Sequence, residues 1–283
     1  MLKNTRLPLC LATGILLAGL ISVPAAKNEA AADPAKSDAD YAFQGEYAEV
    51  LADQFDVGAQ VIALGGGKFR LVLYPGGLPG AGYDGEAEKR QYDGARDGDT
   101  VTFTGGTTGK SITDGKLTFS LDGQESVIDR TVRKSPTLAA KPPEGALVLF
   151  DGKSAENFKP GRMTESGLLM QGANSIKKFQ GHKLHIEFRL PYEPTKRGRA
   201  RGNSSCYMQG RYEVQMLDSF GLAGKHNECG GIYTIADPDV NMCLPPLQWQ
   251  TYDIDFTAAK YDVTGQKTAN ARAPVRHNRV LLH

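Results

Sequence analysis

Between residues 203 and 218 the chain reads N-S-S-C-Y-M-Q-G-R-Y-E-V-Q-M-L-D, and from Cys206 onward its side chains alternate in character. Cys206, Met208, Gly210, Tyr212, Val214 and Met216 fall to one side, and Tyr207, Gln209, Arg211, Glu213 and Gln215 to the other. Successive Cβ atoms of a β-strand point to opposite faces, so this period predicts a strand with one face on a core. The second face carries a phenol, two amides, a guanidinium and a carboxylate. Those donors and acceptors are the repertoire of a surface that reads sugar hydroxyls. An ordinary solvated strand face is the competing reading.

The same alternation recurs downstream. Leu184, Ile186, Phe188 and Leu190 oppose Lys183, His185, Glu187 and Arg189, while Tyr252, Ile254 and Phe256 oppose Thr251, Asp253 and Asp255. Further strands are expected over 146–150 and 168–171, and a hairpin around Asn278-Arg279, where Arg occupies a turn position that suits Gly. Upstream, 59–64 and 68–74 flank a Gly triplet, and 116–121 lies between Asp114-Gly115 and Asp122-Gly123, which predicts a small β-meander. The 76–80 segment, G-G-L-P-G, lacks the Lys-Ser/Thr of a phosphate loop and reads as surface. Pro-punctuated residues 134–144 form a linker. The expected organisation is a signal peptide (1–25), a disordered leader (26–40), a β-meander domain (41–133), the linker (134–144) and a β-sandwich domain (145–283). With 33 Gly and few 3.6-residue periods, the fold class is all-β.

Charge excludes some partners. The 33 basic and 32 acidic residues are well mixed, and no basic stripe carries interleaved aromatics, so a nucleic-acid partner is not expected. Lys3 and Arg6 precede an apolar run ending at Val23-Pro24-Ala25, the pattern of an export signal. A periplasmic or secreted protein without a stable membrane partner is the expectation, and an uncleaved anchor the alternative. In an oxidising compartment Cys229 and Cys243 could close a short loop, leaving Cys206 on its strand's apolar face. The zinc-site patterns are absent.

Six blocks taken together carry a family likeness: L-F-D-G-K (149–153), H-I-E-F-R (185–189), G-N-S-S-x-Y-x-Q-G-R-Y-E-V-Q-M-L-D-S (202–219), N-E-C-G-G-I-Y (227–233), N-M-C-L-P-P (241–246) and W-Q-T-Y-D-I-D-F (249–256). In this order they resemble the 3-keto-disaccharide hydrolase domain, and the upstream meander looks like an extension of planctomycete members. The resemblance implies a concanavalin A-like jelly-roll sandwich and action on glycosides oxidised at C3, with an oligosaccharide or glycoside as substrate. Family members continue past the equivalent of His283, so the sandwich is expected to be C-terminally incomplete.

The candidate chemistry is assigned from strand geometry. A C3 carbonyl acidifies the C2 proton, so a base can remove it and expel the C1 substituent, after which water adds. Glu213 is the candidate base. Arg211 and Gln215 would hold the carbonyl oxygen, and His226 or Glu228 would protonate the leaving group. Asn203, Tyr207, Gln209 and Trp249 would bind hydroxyls or stack on the ring. A direct double displacement through Glu213, Gln215 and Asp218 would mimic sandwich-fold glucanases but lacks the middle carboxylate. His185, Glu187 and Arg189 would line the same cleft if their strand lies in the concave sheet. A divalent cation is possible as cofactor, without a recognised ligand pattern. A non-catalytic carbohydrate-binding or adhesion module on the same fold is the second hypothesis.

Overall fold

The computed structural model describes residues 33–48, 57–106, 109–121 and 124–283. The expected signal peptide and the Asp122-Gly123 turn lie outside them. No α-helix occurs among the described residues, and no helix there is long and apolar enough to cross a membrane.

Eight antiparallel strands build the first half: β1 (Gly45–Ala48), β2 (Val57–Gly65), β3 (Lys68–Pro75), β4 (Arg90–Asp97), β5 (Thr100–Phe103), β6 (Lys110–Thr113), β7 (Lys116–Leu121) and β8 (Gln124–Thr131). Each pairs with its sequence neighbour, as a meander should, but β1 also pairs with β8, so the meander closes into a barrel. Closure leaves no open edge. Ala59, Val61, Ala63, Phe69, Leu71, Leu73, Phe103, Ile112, Leu117 and Phe119 fill the interior, together with Tyr192 and Leu247 from the second half. Alternate residues of β2 and β3 face outward, yet Ile62, Val72 and Tyr74 are also buried, because the second half packs on them. From Asp33 the expected leader is laid against this structure. Asp38 accepts from the Tyr192 hydroxyl at 2.8 Å, and buried Asp40 pairs with Arg96 at 2.9 Å.

The second half has two layers. One is a four-stranded antiparallel sheet of β9 (His182–Arg189), β12 (Trp249–Phe256), β13 (Val275–His277) and β14 (Val280–Leu281), in the order β9-β12-β13-β14. The other is a hairpin of β10 (Ser204–Met208) and β11 (Tyr212–Met216). Met208, Val214 and Met216 from the hairpin share one apolar cluster with Phe188, Tyr252, Ile254 and Phe256 from the sheet. The two-layer packing expected of a sandwich is therefore present, with fewer paired strands than a jelly roll. Residues 146–150 form no strand, and 168–171 contribute only an isolated bridge between Leu169 and Met163. Leu147 and Val148 are half exposed and find no partner strand. The hairpin at Asn278-Arg279 is present, and both residues adopt left-handed φ values of 49° and 72°.

The linker is fixed rather than loose. Ser135 and Thr137 hydroxyls lie 2.6 and 2.8 Å from the Thr251 hydroxyl, and Thr137 donates to Asp253 at 2.9 Å. Thr251, expected on a solvated face, is thereby fully buried.

Candidate functional site

The alternating run that promised one strand is two. It reverses at Gln209-Gly210, both left-handed at φ 55° and 61°, and the Arg211 N–H closes the turn on the Met208 carbonyl at 3.1 Å. Gly enters that region without a Cβ penalty, which fits it to the second turn position. The alternation survives the reversal because the register pairs odd residues with odd. Ser205 lies opposite Gln215 and Tyr207 opposite Glu213, so all four share the polar face.

A third segment extends the hairpin. The antiparallel bridge of Val214 to Ile232 sets Tyr233 opposite Glu213 and Gly231 opposite Gln215, and the Tyr233 N–H donates to the Glu213 carbonyl at 2.9 Å. Directly opposed residues in an antiparallel pair lie on one face with close Cβ atoms. Tyr207, Glu213 and Tyr233 therefore form one row across three chain segments. In the next row, a Cβ on Gly231 would come within 2.5 Å of the His226 carbonyl oxygen. The turn carrying His226 thus rests on the polar face there and buries Gln215, while Glu213 stays half exposed and Tyr207 exposed.

The Glu213 carboxylate has two hydroxyl donors. Tyr207 donates to Oε2 at 2.5 Å, and Ser205 donates to Oε1. Donation to the carboxylate, and to a lesser extent burial, pushes the Tyr207 phenol up. His226 stands beside Tyr233, ring centroids 6.0 Å apart. Its Nδ1 accepts the Thr234 N–H at 3.1 Å, which leaves Nε2 as the protonated nitrogen of the neutral ring. Its backbone N–H donates to Asp237 at 2.5 Å, and this bond holds that carboxyl below its usual range. Arg199 lies over the Tyr233 ring at 5.9 Å.

Several expected members are elsewhere. Arg211 sits at the hairpin tip with its guanidinium turned to the Tyr212 and Tyr261 phenols, so it does not face Glu213. Gln209 is exposed beside Gln180 at 3.4 Å, and Asn203 is exposed just before β10. The Gln215 oxygen accepts from the Met216 N–H at 3.0 Å, a structural contact under the His226 turn. Glu228 accepts the Gly224 and Lys225 N–H groups at 2.7 and 3.1 Å, which commits its carboxylate to shaping that turn. Asp218 is buried in an ion pair with Arg201 at 2.6 Å, away from the polar face. Trp249 pairs with Arg189 on the outer face of the sheet, ring to guanidinium 5.4 Å. Because the hairpin packs on the sheet's inner face, Trp249, His185, Glu187 and Arg189 lie on the far side of the sandwich from Glu213. There His185 contacts Asp253 at 2.7 Å and Glu187 at 3.4 Å, close to the docked linker.

Cys229 and Cys243 are free, buried thiols rather than a disulfide. The Cys229 sulfur is engaged by the Tyr252 hydroxyl at 3.1 Å, and Cys243 is directed to the carbonyls of Leu217 and Leu244. Burial pushes the Cys206 thiol up to about 11. Among the described residues no group of three or more His, Cys, Asp or Glu is arranged to hold a metal ion. A cavity lined by Lys36, Asp38, Tyr192, Pro194 and Leu247 lies where the leader meets the barrel and shares no residue with the Glu213 row.

Sequence reasoning missed Ser205, Tyr233 and Arg199. Ser205 shares the parity of Tyr207 and was open to the same argument. Tyr233 and Arg199 lie outside the alternating run and reach the site only through tertiary pairing.

Residues 145–279 match the family described as the 3-keto-alpha-glucoside-1,2-lyase-like domain. This part of the chain is similar to that family. No curated protein matches the chain. A solved structure, a candidate glycosyl hydrolase from Parabacteroides distasonis ATCC 8503, is 28% identical over 50% of this chain, with a TM-score of 0.43. This chain spans 64% of that protein's length.

Proposed function

We propose that the protein cleaves glycosides carrying a carbonyl at C3, with Glu213 as the base that removes the C2 proton. The observation that carries this is the row Tyr207–Glu213–Tyr233, in which a half-exposed carboxylate stands between two phenols with an imidazole at its rim. The description of the matched family supports a 1,2-elimination.

The C2–H bond breaks as Glu213 takes the proton, and its electron pair forms a C2=C3 double bond while the carbonyl pair moves to oxygen. The enolate then reforms C3=O, the pair becomes C1=C2, and the C1–O bond breaks. His226 Nε2–H hydrogen-bonds the departing oxygen, and a solvent proton completes the alcohol. Water adds across C1=C2 to give the free 3-keto sugar, and Glu213 returns its proton to solvent. A direct displacement would require a second carboxylate about 5–5.5 Å away, and Asp218 is already committed to Arg201. Export to the periplasm or beyond is part of the same proposal, supported by the basic and apolar pattern of the first residues.

The test is incubation with 4-nitrophenyl 3-keto-glucoside, alongside Glu213→Gln. Release of nitrophenol by the wild type, reduced at least about 100-fold in the variant, supports the reading. Binding without release by the wild type supports a carbohydrate-binding module instead.

A further inference from the structure

The elimination develops negative charge on the C3 oxygen, and Arg211 and Gln215 are not placed to receive it. The loop between β9 and β10 supplies an alternative. Three arginines alternate there, and the outer two are tied down. Arg197 donates to the Pro194, Lys196 and Leu64 carbonyls at 2.5, 2.7 and 3.0 Å. Arg201 is buried, paired with Asp218 at 2.6 Å and donating to the Ala63 carbonyl at 3.3 Å. Both contacts reach across to β2 of the barrel, so the loop is held on a rigid support.

Arg199, between them in a one-turn 3-10 segment (Gly198–Ala200), is exposed and projects the other way. Its guanidinium lies over Tyr233, and its charge is felt at Tyr207, where it lowers the phenol slightly against the larger effect of Glu213. It is thus close to both phenols that flank Glu213. Among the described residues it makes no ion pair, and Glu213 takes its hydrogen bonds from Ser205 and Tyr207 instead. The cation stays unneutralised while the carboxylate takes its hydrogen bonds from other donors, so the guanidinium is available to a reacting group beside the row. Guanidinium stacked on an aromatic ring is also pre-organised, which is how a site stabilises charge that appears only in the transition state.

We infer that Arg199 is the group that holds the C3 oxygen of the bound sugar while Glu213 removes the C2 proton. The inference rests on the elimination reading above. The assay uses the same 4-nitrophenyl 3-keto-glucoside with the full chain, and Arg199→Gln and Arg199→Lys as variants. Loss of an oxyanion-stabilising donor is expected to lower kcat of Arg199→Gln by about 10²–10³ with KM changed less than about threefold. Arg199→Lys should recover part of that loss, and added guanidinium ion should restore part of the activity of Arg199→Gln. If the wild type turns the substrate over and Arg199→Gln keeps kcat within about threefold, Arg199 has no such role and Glu213 chemistry stands. A rise in KM alone would likewise overturn it by showing uniform binding. A wild type that ignores the 3-keto substrate but cleaves the unoxidised 4-nitrophenyl glucoside refutes the elimination reading, and this inference with it.

Discussion

His277 gives the protein a calculable acid sensitivity. It lies fully buried on β13 against the Phe188 and Tyr252 rings, centroids 5.8 and 4.8 Å away. Its Nε2–H donates to the Gln250 oxygen at 2.9 Å, and Nδ1 has no partner among the described residues. Burial, with a smaller contribution from the Arg133 charge, lowers its pKa to about 3. The unfolded chain takes up this proton below about pH 6.5, whereas the folded protein refuses it until about pH 3. Stability from this residue is therefore complete above pH 7 and is lost as pH falls through that window. Each unit is worth about 1.4 kcal/mol, so from pH 7.5 to 4.5 the loss is about 2.7 kcal/mol. That figure is insensitive to the lower pKa as long as it stays below 4. Carboxylates add their own pH dependence, so the quantity to measure is a difference. Urea unfolding of wild type and His277→Gln at pH 7.5 and 4.5 should give a wild-type loss larger by about 2–3 kcal/mol. Equal losses in the two proteins would refute the reasoning.

Other expectations follow from the packing. Met208→Ala, truncating a buried side chain between hairpin and sheet, should cost about 2–5 kcal/mol in urea unfolding. Ile62→Asp, on the barrel's outer face under the second half, should lower the unfolding midpoint of both halves together, read by probes placed in each. Thr137→Val removes the hydroxyl that joins the linker to Thr251 and Asp253, and should speed tryptic cleavage at Lys134 while costing about 1 kcal/mol. A thiol reagent should leave Cys229 and Cys243 unreacted in the native protein and label both in denaturant without prior reduction. Labelling only after reduction would show a disulfide instead.

Period-two patterning carried much of the architecture, because burial of one strand face is a local property of alternate residues. It was enough for β2, β3, β7, β9 and β12, and for the inward set Tyr252, Ile254 and Phe256. It misjudged residues 146–150, where apolar content is high but no partner strand is available. It also merged β10 and β11, since a register pairing odd with odd makes a hairpin look like one strand.

The chain by itself determined which side chains share a face: Tyr207, Glu213 and Gln215 fall together whether the run is straight or folded back. Tertiary structure decided which of them meets solvent and what joins them. It brought Tyr233 beside Glu213, laid the His226 turn over Gln215, sent Arg211 to the tip and Trp249 to the far side, and closed the barrel through β1 and β8. The division has a physical cause. Facing follows from backbone geometry over two residues, whereas company in a site depends on contacts between distant segments, whose pairing is chosen by the packing of the whole.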